Sequence, residues 1–215
     1  MLSARKLPLF PLGTVLFPGE AIPLQIFEQR YGQMLSDCQD ADGRFGVLLI
    51  KAGVEVGGHA LTHEIGTVAR IIQVSDVGGG RFFVSAGGER RFRLIARDTD
   101  DPYPIGDVEV LTDELGTGDL PDLAESVAAA TRELMNLTLG LGGGWTGSLE
   151  VPDDPTVLSY YVPKLLRIDA MEKQMLLESE TVSERLAIEA SLLAAQAEAL
   201  KARVSQGLKG RFSSN

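Results

Sequence analysis

The sequence predicts an α+β protein in which a β-rich part, residues 1–113, precedes a helical part, residues 114–208. The first part has short apolar runs separated by glycine-rich turns at close spacing, which is typical of a barrel or a sandwich. The second part has apolar residues that recur every three or four positions, as they do on one face of a helix. At 215 residues and 44% hydrophobic content, the chain is long enough for one large domain or two small ones.

The β-rich part opens with a proline-rich apolar stretch, residues 7–31, that contains Pro8, Pro11, Pro18 and Pro23. Proline fixes φ and has no N–H, so this stretch is neither a plain helix nor a central strand. We expect two short strands interrupted by turns, followed by a helix over about residues 27–37.

Further strands are predicted wherever an apolar or β-branched run lies between turn residues. Gly78-Gly79-Gly80 and Gly87-Gly88 are predicted to be turns between neighbouring strands. The predicted strands are residues 45–50, 65–74, 81–86, 89–96 and 105–111.

The helical part begins at Pro121, since proline is well suited to a first helical position, and this helix is expected to end at Gly140. Asp154 before Pro155 predicts the N-cap of a second helix, which Pro163 ends or kinks. A third, short helix is expected over residues 169–177.

The last helix has the clearest pattern. Thr181 and Glu184 form a capping box, and an apolar seam follows at spacings of four and three residues, with Glu189 predicted to lie off the seam. The seam packs either within its own bundle or against another chain, as a homodimer or adaptor contact through residues 181–207. Residues 209–215 are predicted to be a disordered tail. The seam residues are Leu186, Ala190, Leu193, Ala197, Leu200 and Val204.

Composition excludes several classes of protein. The net charge of −10 disfavours nucleic-acid binding, because affinity for a phosphate backbone comes from Lys and Arg. A single cysteine, Cys38, rules out an internal disulfide framework and predicts a reducing, cytoplasmic location. No window approaches 18 consecutive apolar residues, so we expect neither a transmembrane helix nor other membrane association.

No set of residues predicts a catalytic, cofactor or metal site. His59 and His63 have helical metal-ligand spacing, but glycines precede them and a strand follows, so we expect a solvated loop. Cys38 lies between Asp37 and Asp40, and neighbouring carboxylates favour the thiol over the reactive thiolate.

Several motifs resemble the Lon N-terminal (substrate-binding) domain family. They are the opening stretch from Leu7 to Tyr31, the strand Ile65-Gly66-Thr67-Val68-Ala69-Arg70-Ile71, and Gly87 to Leu94. Segments at 154–155, 172–178 and 184–186 extend the resemblance over nearly all of residues 7–204. The resemblance implies a PUA-like pseudo-barrel followed by a helical bundle, and recognition of unfolded or degron-bearing polypeptides.

The resemblance also implies a stand-alone member of that family. In the full protease this domain precedes an ATPase domain with a Walker A loop and a Ser-Lys protease domain, and the sequence has neither motif. We therefore expect no hydrolysis of ATP or peptide, and the family supplies no catalytic residue in this domain. A peptidase is the enzymatic alternative to this expectation.

The candidate polypeptide site is a groove between barrel and bundle, since ligand pockets favour such junctions. Its residues are chosen by residue type and position in the sequence. Instead of binding a ligand, Phe27 could pack in the core, and Trp145 could lie in a lid over the helical core. Two other functions remain open: an adaptor that acts through the last helix, and RNA binding, which only the PUA-like fold suggests. The candidate residues are Ile26, Phe27, Tyr31 and Trp145, with Arg30 available for a carboxylate.

Overall fold

A computed structural model of the chain describes residues 5–53, 55, 60–99, 102–141 and 150–212. By its internal contacts the chain divides into two units, Met1–Thr112 with Ala170–Glu178, and Asp113–Asp169 with Ser179–Asn215. The protein is α+β. The segment Ala170–Glu178 falls in the first unit, whereas the sequence pattern placed it with the other helices.

The described residues form seven strands that belong to one sheet. All but the short β4 correspond to strands expected from the apolar runs, with ends displaced by a few residues, and β6 joins the two expected strands 81–86 and 89–96 into one. The strands are β1 Arg5–Leu12, β2 Ala21–Ile26, β3 Arg44–Ala52, β4 Leu61–Thr62, β5 Ile65–Gly78, β6 Arg81–Thr99 and β7 Ile105–Val110.

The described residues also form five α-helices and a short 3₁₀ turn, Val162–Lys164, that follows α3 at Pro163 as expected. The helices are α1 Gln29–Asp40, α2 Leu120–Leu141, α3 Pro155–Tyr161, α4 Ala170–Glu178 and α5 Val182–Phe212.

Five of the strands close into a ring. In the order β1-β7-β6-β5-β3 each strand pairs with the next in antiparallel fashion, and β3 pairs with β1 in parallel. The close packing inside this five-strand ring leaves no room for a side chain at Gly46, whose Cβ would lie 2.7 Å from Cζ of Phe92. The interior cluster of the ring is Leu7, Leu9, Leu48, Val68, Phe92 and Val108.

A second core lies beneath α1 and β2. The face of α1 that carries Tyr31, Met34, Leu35 and Cys38 is buried in it. Burial of this apolar face stabilises α1, because a helix of this length is marginal on its own in water.

Helix α4 is held to the sheet of its unit by buried polar side chains. Gln174 Nε2 donates to the carbonyl of Ile65 at 2.9 Å, and Arg91 Nη1 donates to the carbonyl of Leu177 at 2.9 Å. Both side chains are buried, so each bond satisfies a donor that water does not reach.

The predicted turn at Gly87-Gly88 is wrong, because β6 runs through both glycines. Gly88 donates its N–H to the carbonyl of Glu20 at 2.8 Å and accepts from Gly19 N–H at 2.9 Å. A Cβ at Gly88 would lie 2.3 Å from the carbonyl oxygen of Phe17. Glycine is therefore required by the close approach of another backbone segment rather than by a reversal of the chain.

In the second unit, α5 packs against α2 and α3. The predicted caps form: Thr181 Oγ1 accepts from Glu184 N–H at 3.1 Å, and Asp154 Oδ1 accepts from Val157 N–H at 2.9 Å. Leu186 and Leu193 of the seam are buried within this unit.

Helix α5 departs from the sequence pattern in two ways. Its backbone is helical to Phe212, past the predicted start of the tail at residue 209. The expectation that Glu189 lies off the buried face is wrong, since Glu189 and Arg185 are both fully buried. Arg185 Nη1 donates to Ser159 at 2.7 Å, and its guanidinium lies 4.2 Å from the Tyr160 ring centroid.

Among the described residues, no helix is long and apolar enough to cross a membrane.

Replacing Gly88 with alanine should destabilise the protein by about 1–3 kcal/mol, because the new methyl group meets a rigid backbone carbonyl. Gly87→Ala is the matched control: its Cβ would lie 3.1 Å from the flexible end of Ile72, and we expect a smaller cost. Urea unfolding of the two variants measures the difference. Equal losses would contradict the close approach at Gly88.

Burial raises the pKa of Glu189 to about 9, although the charge of Arg185 partly opposes this shift. Both Glu189 carboxylate oxygens lack a hydrogen-bond partner among the described residues. The folded protein therefore keeps this proton at a pH where the unfolded chain, near the ordinary value of 4.5, has released it. Stability should fall as pH rises from about 4.5 to about 9, with a slope approaching about 1.4 kcal/mol per pH unit.

Glu189→Gln should remove this slope and raise the stability at pH 8 more than at pH 5. Thermal unfolding across that range makes the measurement. Glu198→Gln, which changes an exposed glutamate of the same helix, should keep the slope of the parent protein. If Glu189→Gln also keeps it, the buried carboxyl is not the titrating group.

Candidate functional site

A groove of about 370 Å³ lies along β2 in the first unit. We call it the β1–β2 groove. One wall comes from the end of β1, the other from β2 and the residues that lead into α1. Its lining residues are Phe10, Pro11, Leu12, Thr14, Ile22–Glu28, Tyr31 and Glu55.

The groove lies beside strand segments that have an open edge in the described part of the chain. Strand β2 pairs only with β6. In β1, residues 10–12 pair with β3 on one side, while the pairing with β7 is limited to Arg5–Pro8. Pro23 and Pro11 fit these positions, because proline has no N–H to give to a neighbouring strand.

Two of the predicted site residues form the floor of the groove. Ile26 is 3% exposed and Tyr31 is 4% exposed. The Tyr31 ring meets Phe10 edge to face with a centroid distance of 4.4 Å. These side chains are therefore part of the core that shapes the groove, and only a small part of their surface reaches its opening.

Arg30 is not available in the way the sequence suggested. Its guanidinium lies 4.6 Å from the Tyr31 ring centroid, and its Nη2 is 3.0 Å from Glu28 Oε2. It holds the ring and neutralises a carboxylate at the groove, so a ligand carboxylate would have to compete with Glu28.

Phe27 is the exposed aromatic of the site, with 52% of its surface accessible, so core packing is the wrong alternative for this residue. Sequence reasoning missed Phe83, which does not line the groove but is also 52% exposed and lies on the neighbouring strand β6. Phe83 pairs with Gln25 of β2, while the buried Val84 pairs with Leu24. The alternation of side chains along β6 was the signal that could have placed Phe83 on the outer face.

The remaining predicted residues are accounted for as follows. Trp145 and His59 lie outside the described residues. His63 contacts α4, with its Nδ1 3.1 Å from Glu178 Oε1, and its side chain is only 12% exposed. The expected solvated environment is therefore wrong for His63.

Cys38 is a buried thiol whose surroundings disfavour the reactive thiolate. Burial raises its pKa to about 12, with further contributions from Asp37 and Asp42, and its Sγ donates to the carbonyl of Arg44 at 3.3 Å. Within the described part of the chain, no group of three or more His, Cys, Asp or Glu side chains is placed to hold a metal ion.

Two carboxylates line the groove. Glu28 pairs with Arg30, and Glu55 Oε2 accepts from Gly13 N–H at 3.1 Å, next to the end of β1. The groove thus combines an apolar floor, one exposed aromatic side chain and one carboxylate, Glu55, without a cationic partner among the described residues.

The fold and the groove define an α+β domain with an apolar cleft. The family model described as the ATP-dependent protease La (LON) substrate-binding domain matches residues 6–195. The chain belongs to this family, as its motifs had indicated.

Two relatives of this chain carry the name Lon protease. Lon protease 2 of Myxococcus xanthus is 27% identical over 97% of this chain, and Lon protease of Anaeromyxobacter dehalogenans is 26% identical over 96%. The match covers 26% and 25% of these relatives, so the chain spans about a quarter of their length.

Solved structures agree on the fold. A Lon N-terminal domain protein from Xanthomonas campestris matches with a TM-score of 0.63 at 28% identity, over 85% of this chain and 95% of that one. The N-terminal domain of Mycobacterium avium complex Lon protease matches with a TM-score of 0.66 at 20% identity, over 88% and 98%. The latter likeness concerns the fold alone.

Substitutions of a buried and an exposed residue of the groove should differ in their effect on the free energy of unfolding. Tyr31→Ala should cost about 3 kcal/mol or more in unfolding free energy, because it leaves a cavity beside Phe10. Phe27→Ala should cost about 1 kcal/mol or less, since half of the ring is in water. Equal costs in urea unfolding would show that the two side chains are not in such different environments.

Proposed function

We propose that this chain is a non-enzymatic polypeptide-recognition protein that binds unfolded or degron-bearing segments in the β1–β2 groove. The observation that carries this proposal is the half-exposed Phe27 at an apolar groove beside an open strand edge. Membership of a family described as a substrate-binding domain supports the same role. Unfolded polypeptides are the natural ligand of such a surface because they expose both apolar side chains and unpaired backbone groups.

The open edge of β2 favours a binding mode in which a segment pairs with this strand. An extended segment placed beside β2 would donate and accept backbone hydrogen bonds, while alternate side chains enter the groove. The exposed ring of Phe27 follows the end of β2, and Phe83 on the paired strand β6 would extend the exposed apolar area across the sheet. Aromatic side chains are frequent energetic centres of interfaces.

The charges favour a particular class of segment. Glu28 at the groove is neutralised by Arg30, so the excess negative charge there comes from Glu55, and the chain as a whole carries a net charge of −10. Apolar segments flanked by Lys or Arg should therefore associate faster than segments flanked by acidic residues, and salt should reduce the difference.

Absence of ATPase and peptidase activity is part of the proposal. Its support is that the family match concerns a substrate-binding domain and that burial raises the pKa of the one thiol, Cys38. The finer structural and cellular assignments, a PUA-like pseudo-barrel, a helical bundle and a cytoplasmic location, are proposed with it. An adaptor contact through α5 is less favoured, because Leu186 and Leu193 of its seam are buried within their own unit.

The test is binding of a fluorescent extended peptide with alternating apolar residues and flanking lysines, measured by anisotropy. Phe27→Ala and Phe83→Ala should each weaken binding about tenfold, the effect of losing roughly 1.4 kcal/mol of apolar contact. Ile95→Ala is the control, since Ile95 is an exposed apolar residue on the same strand as Phe83. The site is wrong if the aromatic variants bind like the parent, and the function is wrong if the parent binds no apolar segment.

A further inference from the structure

A second cavity, of about 590 Å³, opens at the end of the five-strand ring where β1 and β3 begin and β7 ends. Leu7, Val68 and Val108 belong both to the interior cluster of the ring and to the wall of this cavity. Val110 completes the aliphatic part of the wall. We call this space the ring cavity. It shares no lining residue with the β1–β2 groove, and its volume is in the range of small-ligand sites.

The charged side chains of the ring cavity are Arg44, Glu89 and Arg90. Glu89 is fully engaged: Arg44 Nε donates to its Oε2 at 2.6 Å, and Arg70 donates to its Oε1. Arg44 also pairs with Asp42 at 3.1 Å. In this network two guanidinium groups face two carboxylates, so its net charge is zero.

Arg90 lies outside that network. It pairs in register with Val68, which puts its side chain on the cavity side of β6, and it is exposed to water. No described carboxylate lies within ion-pair distance of Arg90. Leu7, Val68 and Val108 are buried and Val110 is partly buried, so aliphatic side chains form the base of the ring cavity, with one uncompensated guanidinium at its opening.

We propose that the ring cavity binds a carboxylate carried on a branched aliphatic chain. The chain lies against Leu7, Val68, Val108 and Val110, and Arg90 receives the carboxylate in the two-pronged geometry that a guanidinium offers. This chemistry has two sources, the C-terminal residue of a polypeptide that ends in Leu or Val, and a free aliphatic acid. The site is independent of the β1–β2 groove and goes beyond the function proposed for it.

Isothermal titration of the whole chain tests the proposal with three probes. They are an acetylated Gly-Ser-Ala-Val-Leu peptide with a free carboxylate, the same peptide as its C-terminal amide, and 4-methylpentanoate. We expect at least one of the two acids to bind, and we expect the amide to bind at least tenfold more weakly than the peptide acid if the peptide is the source. Binding of the peptide acid alone identifies a polypeptide C-terminus, and binding of 4-methylpentanoate alone identifies a free acid.

Arg90→Gln should reduce the affinity of the bound acid at least tenfold. Arg93→Gln is the matched control, because Arg93 is exposed on the same strand but is absent from the cavity wall. Val110→Phe, which fills the cavity without removing a charge, should also block binding. The proposal is overturned if neither acid binds at millimolar concentration, if the amide binds as well as the acid, or if Arg90→Gln binds like the parent.

Discussion

The parallel pairing of β1 with β3 is the constraint on which the first unit depends. Through it, residues 9–12 meet residues 46–49, while the first half of β1 pairs with β7. The β1–β7 pairing joins segments about a hundred residues apart, and the β1–β3 pairing then closes the ring. The loop entropy lost is offset by the apolar side chains enclosed inside. Both cavities follow from the same closure. The ring cavity lies at one end of the enclosed space. The β1–β2 groove lies beside residues 10–12 of β1, which pair with β3 but no longer with β7.

The prolines of the opening stretch have a physical role in this arrangement. Pro11 and Pro23 lie in strand segments next to the groove, where a missing N–H costs no ladder hydrogen bond. They also limit how another strand can pair there, since an added segment finds no donor at these positions. A polypeptide bound in the groove would therefore be held largely by its side chains and by the remaining backbone groups, which suits a surface that accepts varied sequences.

Local patterns predicted much of the fold, and the failures share one cause. Alternation, turn glycines and caps located the strands and helices because those signals are contained within a few residues. Gly87-Gly88 has the composition of a turn, but the need for glycine at position 88 comes from the backbone of Phe17, about seventy residues earlier in the chain. The helical pattern places Glu189 off the apolar seam, yet both Glu189 and Arg185 are fully buried. At the candidate site, only the tertiary packing shows that Ile26 and Tyr31 are buried beneath the groove and that Phe27 is exposed.

The position of α4 has a consequence for how the chain can be divided. The first unit is discontinuous: its last piece, Ala170–Glu178, is separated from the rest by residues 113–169 of the second unit. A fragment ending at residue 112 would lack the Leu177 carbonyl that accepts from Arg91 and the Gln174 amide that donates to Ile65. It would keep a guanidinium in the sheet without its buried acceptor, a costly state. The first unit therefore cannot be excised as one continuous segment, and during synthesis it cannot be completed before residue 178 has been added.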